Sequence, residues 1–107
     1  MPQARRLAIA LLLFTGVAHV VYYAVAGESS GGTGTALAGV IYFGVGLALR
    51  RPGAWPLWLG ALLPVLGGLG GTRLILARFD PVLLLFVAID AVVVACCVQL
   101  LLTRARA

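Results

Sequence analysis

Four long apolar stretches divide this chain and leave few folds open to it. They run over residues 7–26, 33–49, 54–73 and 81–102, with short polar links between them. About 20 apolar residues in a helix cross the hydrocarbon core of a bilayer, which is about 30 Å thick. Because backbone groups inside a bilayer must be paired within the segment, each stretch is predicted to be a helix. The chain is therefore expected to be a single transmembrane domain over residues 1–107, folded as an all-α four-helix bundle whose neighbouring helices are antiparallel.

Composition supports a membrane protein and argues against nucleic-acid binding. Hydrophobic residues make up 63% of the chain, and the mean hydropathy is +1.12. In a soluble domain, apolar residues including glycine usually make up about 45–50% of the chain. The net charge is +5, but the arginines flank the apolar stretches rather than forming a basic face: Arg5, Arg6, Arg50, Arg51, Arg104 and Arg106. Membrane lipid, and no nucleic acid, is the expected surrounding partner.

The distribution of arginine also predicts orientation. Six of the eight basic residues lie at the N-terminus, in the Arg50–Arg51 turn and at the C-terminus. The first link contains Glu28 and no basic residue. The positive-inside rule therefore places both termini in the cytoplasm, in a multi-pass protein of the cytoplasmic (inner) membrane. The alternative for the first stretch is a cleaved signal peptide ending near Ala26, although this stretch is longer than a usual signal core.

Asp90 is the residue that points to a functional site. It lies inside the last apolar stretch, where a carboxylate costs about 2.5–3.5 kcal/mol on insertion scales. Such a group normally faces the interior of the bundle and has a partner or a task. His19 and Tyr42 lie at a similar depth, about 10 Å from the outer ends of their stretches, and Asp90 lies about 13 Å in. The candidate ligand-binding or proton-handling residues are His19, Tyr22, Tyr42, Arg73 and Asp90.

Each candidate has a purely structural alternative. His19 is also explained as a hydrogen-bonding residue between helices, the tyrosines as packing or interfacial aromatics, and an Asp90–Arg73 pair as a device that fixes helix register. No catalytic set, metal-ligand cluster or haem-ligand pair is recognisable, so no catalytic residue and no metal site are predicted. The adjacent Cys96 and Cys97 are expected to pack rather than to form a disulfide.

The last two-thirds of the chain, about residues 39–103, has a familiar order of features. It reads GVIYFGVGLALRRP, then WLGALLPVLGGLGGTRL, then DPVLLLFVAIDAVVVACCVQLLL. This order resembles the DoxX-like group of small four-helix bacterial membrane proteins. The resemblance assigns Tyr42, Arg73 and Asp90 to that group's tyrosine, arginine and acid positions, although the acid there is more often Glu. It implies four helices and a supporting role in quinone-linked or thiol-related redox complexes.

Three functions follow from these features. The favoured one is a non-enzymatic accessory or ligand-binding subunit, whose outer polar pocket holds a lipid, a quinone or a partner helix. A proton-coupled transporter acting as a dimer through Asp90 is the first alternative, and a lipid or quinone enzyme using His19 and Asp90 is the second. No cofactor is expected, with quinone left open as a ligand. A homo-oligomer or a place in a larger membrane complex is predicted, because so short a chain has little interior.

Overall fold

The computed structural model describes residues 2–106, and it confirms an all-helical chain with four helices. They are α1 (Gln3–Ala26), α2 (Thr33–Ala48), α3 (Trp55–Ala77) and α4 (Pro81–Arg106). A short 3₁₀ turn, Gly27–Ser30, joins α1 to α2. No strand occurs in residues 2–106. Helices α1, α3 and α4 extend beyond the apolar stretches, because the alanines, leucines and arginines at their ends are good helix formers.

Three of the four helices are long and apolar enough to cross a membrane: α1 with the 3₁₀ turn, α3 and α4. Helix α2 has 16 residues, which corresponds to about 24 Å of helix. It is equally apolar but shorter than the hydrocarbon core. The length and apolar composition of these helices are those of a membrane protein, and α2 is the shortest of the four α-helices.

The helices pack mainly in two pairs, α1 with α2 and α3 with α4, and α1 also meets α4. The fully buried side chains are few and small to medium in size, among them Leu12, Leu49, Leu57, Val93 and Cys97. Large apolar side chains are exposed on the outside of every helix. This inside-out distribution is that of a protein surrounded by lipid, in which helix contacts depend on close packing.

Glycines set the closest approach of α1 and α2. A Cβ atom at Gly16 would lie 2.8 Å from the Gly39 carbonyl oxygen, and a Cβ atom at Gly39 would lie 2.6 Å from the Gly16 carbonyl oxygen. The two backbones are therefore in direct contact, which only glycine allows. This crossing places His19, one turn further along α1, against α2.

A stripe of small residues on α3 faces α4. A Cβ atom at Gly60 would meet the Cys97 sulfur at 2.6 Å, and one at Gly71 would meet the Val87 side chain at 2.8 Å. Pro64, which lies inside the helix between them, is buried. The cysteines are free and buried, so Cys97 serves here as a small packing residue.

The polar links are folded rather than extended. Ser30 is buried, its hydroxyl donates to the Gly27 carbonyl oxygen at 2.7 Å, and Thr35 donates to the Ser30 carbonyl oxygen at 2.8 Å. At the opposite end of α2, Arg5 donates to the carbonyl oxygens of Leu49 at 2.7 Å and Arg51 at 2.5 Å. Arg5 thereby pairs carbonyls that the end of a helix leaves free.

Candidate functional site

One cavity brings together polar side chains from three helices. It has a volume of about 250 Å³ and is lined by His19 of α1, Tyr42 of α2 and Asp90 of α4. Glycines of α3 form much of the remaining wall, together with Leu74, Leu83, Phe86 and Val87. The three polar residues are almost fully buried, with exposed fractions of 7%, 3% and 4%. The three residues that the sequence places at a similar depth on separate helices therefore lie around the same cavity.

His19 is held by its own helix and by aromatic contacts. Its Nδ1 atom lies 2.6 Å from the Thr15 carbonyl oxygen and 3.2 Å from the Thr15 hydroxyl. The imidazole stacks on Phe86, with ring centroids 3.9 Å apart, and meets the edge of Tyr42 at 5.1 Å. These contacts fix the orientation of the ring, so one face and one nitrogen are committed while the other nitrogen is not.

Tyr42 and Asp90 meet over the backbone of Gly67. The Tyr42 hydroxyl interacts with the Asp90 carboxyl. A Cβ atom at Gly67 would collide with the Tyr42 hydroxyl and would lie 3.5 Å from Asp90 Oδ2. A Cβ atom at Gly68 would lie 3.7 Å from the same oxygen. Two consecutive glycines therefore let the backbone of α3 cover a buried carboxyl group that longer side chains would displace.

A more polar recess adjoins the cavity near the first link. This outer recess, about 460 Å³ in volume, shares Gly31, Leu74 and Leu83 with the cavity and is also lined by Tyr22, Glu28, Arg78 and Asp80. The Tyr22 hydroxyl donates to Asp80, and this hydrogen bond is the main cause that lowers the pKa of the Asp80 carboxyl. Tyr22 thus lies at the mouth, one turn from His19, rather than in the cavity itself.

Arg73 lies apart from the other candidates. Its side chain is exposed and does not line the cavity, whereas Asp90 is nearly enclosed. The sequence made Arg73 a candidate partner of Asp90, but the face that carries Arg73 is turned away from the carboxyl group. The lining around Asp90 is made by the adjacent glycines instead.

Phe86, Gly67 and Asp80 take part in the site although sequence alone did not select them. Phe86 shares a helix face with Asp90, a spacing that indicates its position but not its stacking on His19. Asp80 precedes Pro81, and its Oδ1 accepts from the Val82 amide at 2.9 Å as a helix N-cap does. An aspartate directly before a proline is a signal for such a cap in the sequence. The hydrogen bond between Asp80 and Tyr22, 58 residues away, has no such local signal.

The polar groups that line the cavity can form hydrogen bonds with a ligand. Within residues 2–106, no cluster of His, Cys, Asp and Glu has the makings of a metal site. His19 and Asp90 line the same space without a hydrogen bond between them in that part of the chain. The lining combines a few polar groups with an apolar wall, which is the usual construction of a small-molecule site.

Comparison with protein families, with curated proteins and with solved structures finds no significant match to this chain.

Proposed function

We propose that the chain is a non-enzymatic membrane subunit that binds a small amphipathic ligand in the cavity lined by His19, Tyr42 and Asp90. The observation that carries the proposal is that three nearly buried polar side chains from three helices surround one space. An acid inside an apolar helix is costly, and a ligand site is one reason for it to be there. A cavity of about 150 Å³ is known to hold benzene, so 250 Å³ is room for a substituted ring or a small head group.

The proposal includes the arrangement in the membrane. All four helices cross the cytoplasmic membrane, antiparallel to their neighbours, with both termini and the Arg50–Arg51 turn inside. Contact of Gly60 with Cys97 and of Gly71 with Val87 supports opposite directions for α3 and α4. Exposed Trp55 at the start of α3 supports an interface beside the arginines. Reporter fusions to each terminus and to the first link test this orientation, and an outer location of either terminus contradicts it.

The cavity would then open toward the outer side, and its ligand would be a lipid or a quinone reached through the outer recess. The resemblance to the DoxX-like group supports the quinone, and the apolar wall supports either. The chain is also proposed to form a homo-oligomer or to join a larger membrane complex, because 107 residues enclose little volume.

Native extraction in a mild detergent, followed by mass spectrometry of the intact assembly, tests the proposal. A stoichiometric lipid, quinone or second subunit that is lost from Asp90→Leu but kept by Tyr23→Phe supports ligand binding at the cavity. Tyr23 is the matched control, because it lies on α1 beside Tyr22 and does not line the cavity. Wild-type protein that carries nothing above the level of bulk lipid contradicts the proposal.

Proton-coupled transport is a second candidate, and one observation favours it. Asp90 lines the cavity and also a groove between α3 and α4 that extends toward Pro64 and Val98, deeper into the bilayer. A carboxyl group reached from two sides is the arrangement that a proton carrier needs. Asp90→Asn is expected to abolish proton-driven uptake in vesicles without unfolding the protein, and uptake that persists in this variant rules the mechanism out.

A further inference from the structure

His19 presents a hydrogen-bond acceptor to the cavity. Its Nδ1 atom lies 2.6 Å from the Thr15 carbonyl oxygen, and a carbonyl oxygen can only accept. Nδ1 therefore carries the proton of the neutral imidazole. The other ring nitrogen, Nε2, is left with its lone pair free to accept.

This lone pair is unpaired and accessible. Nε2 makes no hydrogen bond within residues 2–106, yet no polar side-chain atom in that range is both enclosed and unpaired. Nε2 must therefore keep some contact with open space. Because His19 is only 7% exposed and lines the cavity, the cavity is where that contact lies.

Asp90 adds further acceptors at the same wall. A carboxyl group keeps acceptor oxygens whether or not it is protonated. The Tyr42 hydroxyl adds one donor beside this carboxyl. No arginine lines the cavity, and the chain has no lysine. The cavity is thus richer in acceptors than in free donors.

The shape of the wall suits a flat ring. His19 and Phe86 stack with an angle of 16° between their planes, and Tyr42 meets the imidazole at 75°. The α3 part of the wall includes Gly67, Gly70 and Gly71, which add no side chain to the space. Aromatic edges and faces make favourable contacts with a further ring.

We infer that the cavity selects a ring ligand that carries a hydroxyl group, in preference to the matching ether or carbonyl compound. This inference rests on the proposed ligand-binding function and specifies its substrate class. A hydroxyl group donates to His19 Nε2 or to Asp90, whereas an ether or a quinone carbonyl leaves both acceptors unpaired. Of the ligands proposed above, the inference therefore favours a hydroxyl-bearing molecule, including the reduced form of a quinone, over the quinone itself. Sites built around buried polar groups discriminate strongly against ligands that leave those groups unpaired.

A matched pair of fluorinated probes tests the inference. 4-Fluorophenol and 4-fluoroanisole differ by one methyl group that removes the donor, and both are followed by fluorine NMR against empty micelles of the same detergent. The phenol is expected to bind the purified protein about tenfold more tightly, the equivalent of one good hydrogen bond. In His19→Phe, which keeps a ring against Phe86, this preference is expected to fall to about twofold.

Asp90→Asn is the second variant, and it keeps the inference testable if His19→Phe fails to fold. It replaces an acceptor oxygen with an amide donor, so it is expected to reduce the preference for the phenol and to strengthen binding of the ether, whose oxygen can accept. Tyr23→Phe, which removes a hydroxyl group outside the cavity, is expected to keep the wild-type preference.

The outcomes separate the two proposals. Binding of the ether as tightly as the phenol overturns the inference and leaves the ligand-binding function standing. Tighter binding of 4-fluorobenzylamine than of the phenol also overturns it, because the acceptors would then be selecting an ammonium group. Absence of binding by all three probes, together with an empty native assembly, removes the proposed function itself.

Discussion

The hydroxyl group of Tyr42 occupies the space in which a side chain at Gly67 would begin. This contact between Tyr42 and Gly67 links α2 to α3, two helices that otherwise share few contacts. It lies beside the Asp90 carboxyl. Gly67 is therefore part of the candidate site although it has no functional group. Its role is to leave room for a hydroxyl group that interacts with a buried acid.

Replacement of Gly67 by alanine is expected to displace Tyr42 from Asp90. Overpacking of a close contact typically costs about 1–3 kcal/mol. We expect a lower melting temperature in detergent and weaker binding of 4-fluorophenol. Gly44→Ala is the matched control, because a Cβ atom at Gly44, on the helix that carries Tyr42, meets no atom within 4 Å and Gly44 does not line the cavity. Equal stability and equal binding of the two variants would show that Tyr42 does not depend on this space.

Replacement of Gly39 by alanine is expected to separate α1 from α2. The new methyl group would lie 2.6 Å from the Gly16 carbonyl oxygen and 2.8 Å from the His19 Cβ atom, and backbone cannot move aside as a side-chain end can. The loss of stability is expected to be at least as large as that of Gly67→Ala, about 2–3 kcal/mol. Thermal unfolding measures it. Gly44→Ala on the same helix, with open space at its Cβ, is expected to be neutral or stabilising.

Removal of the Tyr22 hydroxyl is expected to change how Asp80 titrates. The hydrogen bond from Tyr22 lowers the pKa of Asp80 in the folded protein, so it stabilises the fold at pH values above the ordinary carboxyl pKa. That contribution is lost as the pH falls through the lowered folded-state pKa. Tyr22→Phe is expected to raise the pKa of Asp80, measured by carbon NMR of labelled aspartate. An unchanged titration curve in the variant contradicts the role given to this hydrogen bond.

Removal of the Arg5 guanidinium is expected to loosen the C-terminal end of α2. Without it, the Leu49 and Arg51 carbonyl oxygens lose their donor, at a cost of about 1 kcal/mol. Amide hydrogen exchange at residues 49–51 is expected to become several times faster in Arg5→Ala. Arg6→Ala, at a neighbouring exposed position, removes the same charge and is expected to leave exchange unchanged. Equal acceleration in both variants would assign the effect to charge alone.

The formation of apolar helices, and the positions of polar groups along them, follow from the order of the residues alone. That information is local: the length of an apolar stretch, an acid inside it and a proline or glycine at its end act within one segment. It was sufficient for four helices and for the similar depth of His19, Tyr42 and Asp90.

Which side chains face one another depends on how the helices pack. Helix rotation depends on contacts between segments distant in sequence, such as Gly16 against Gly39, and spacing along one helix does not fix it. For that reason Arg73, a candidate partner of Asp90, lies outside the cavity, while Tyr22 pairs with Asp80 at its mouth. Asp90 is covered by the bare backbone of Gly67 and Gly68, because close packing in a membrane favours small residues where polar groups must be enclosed.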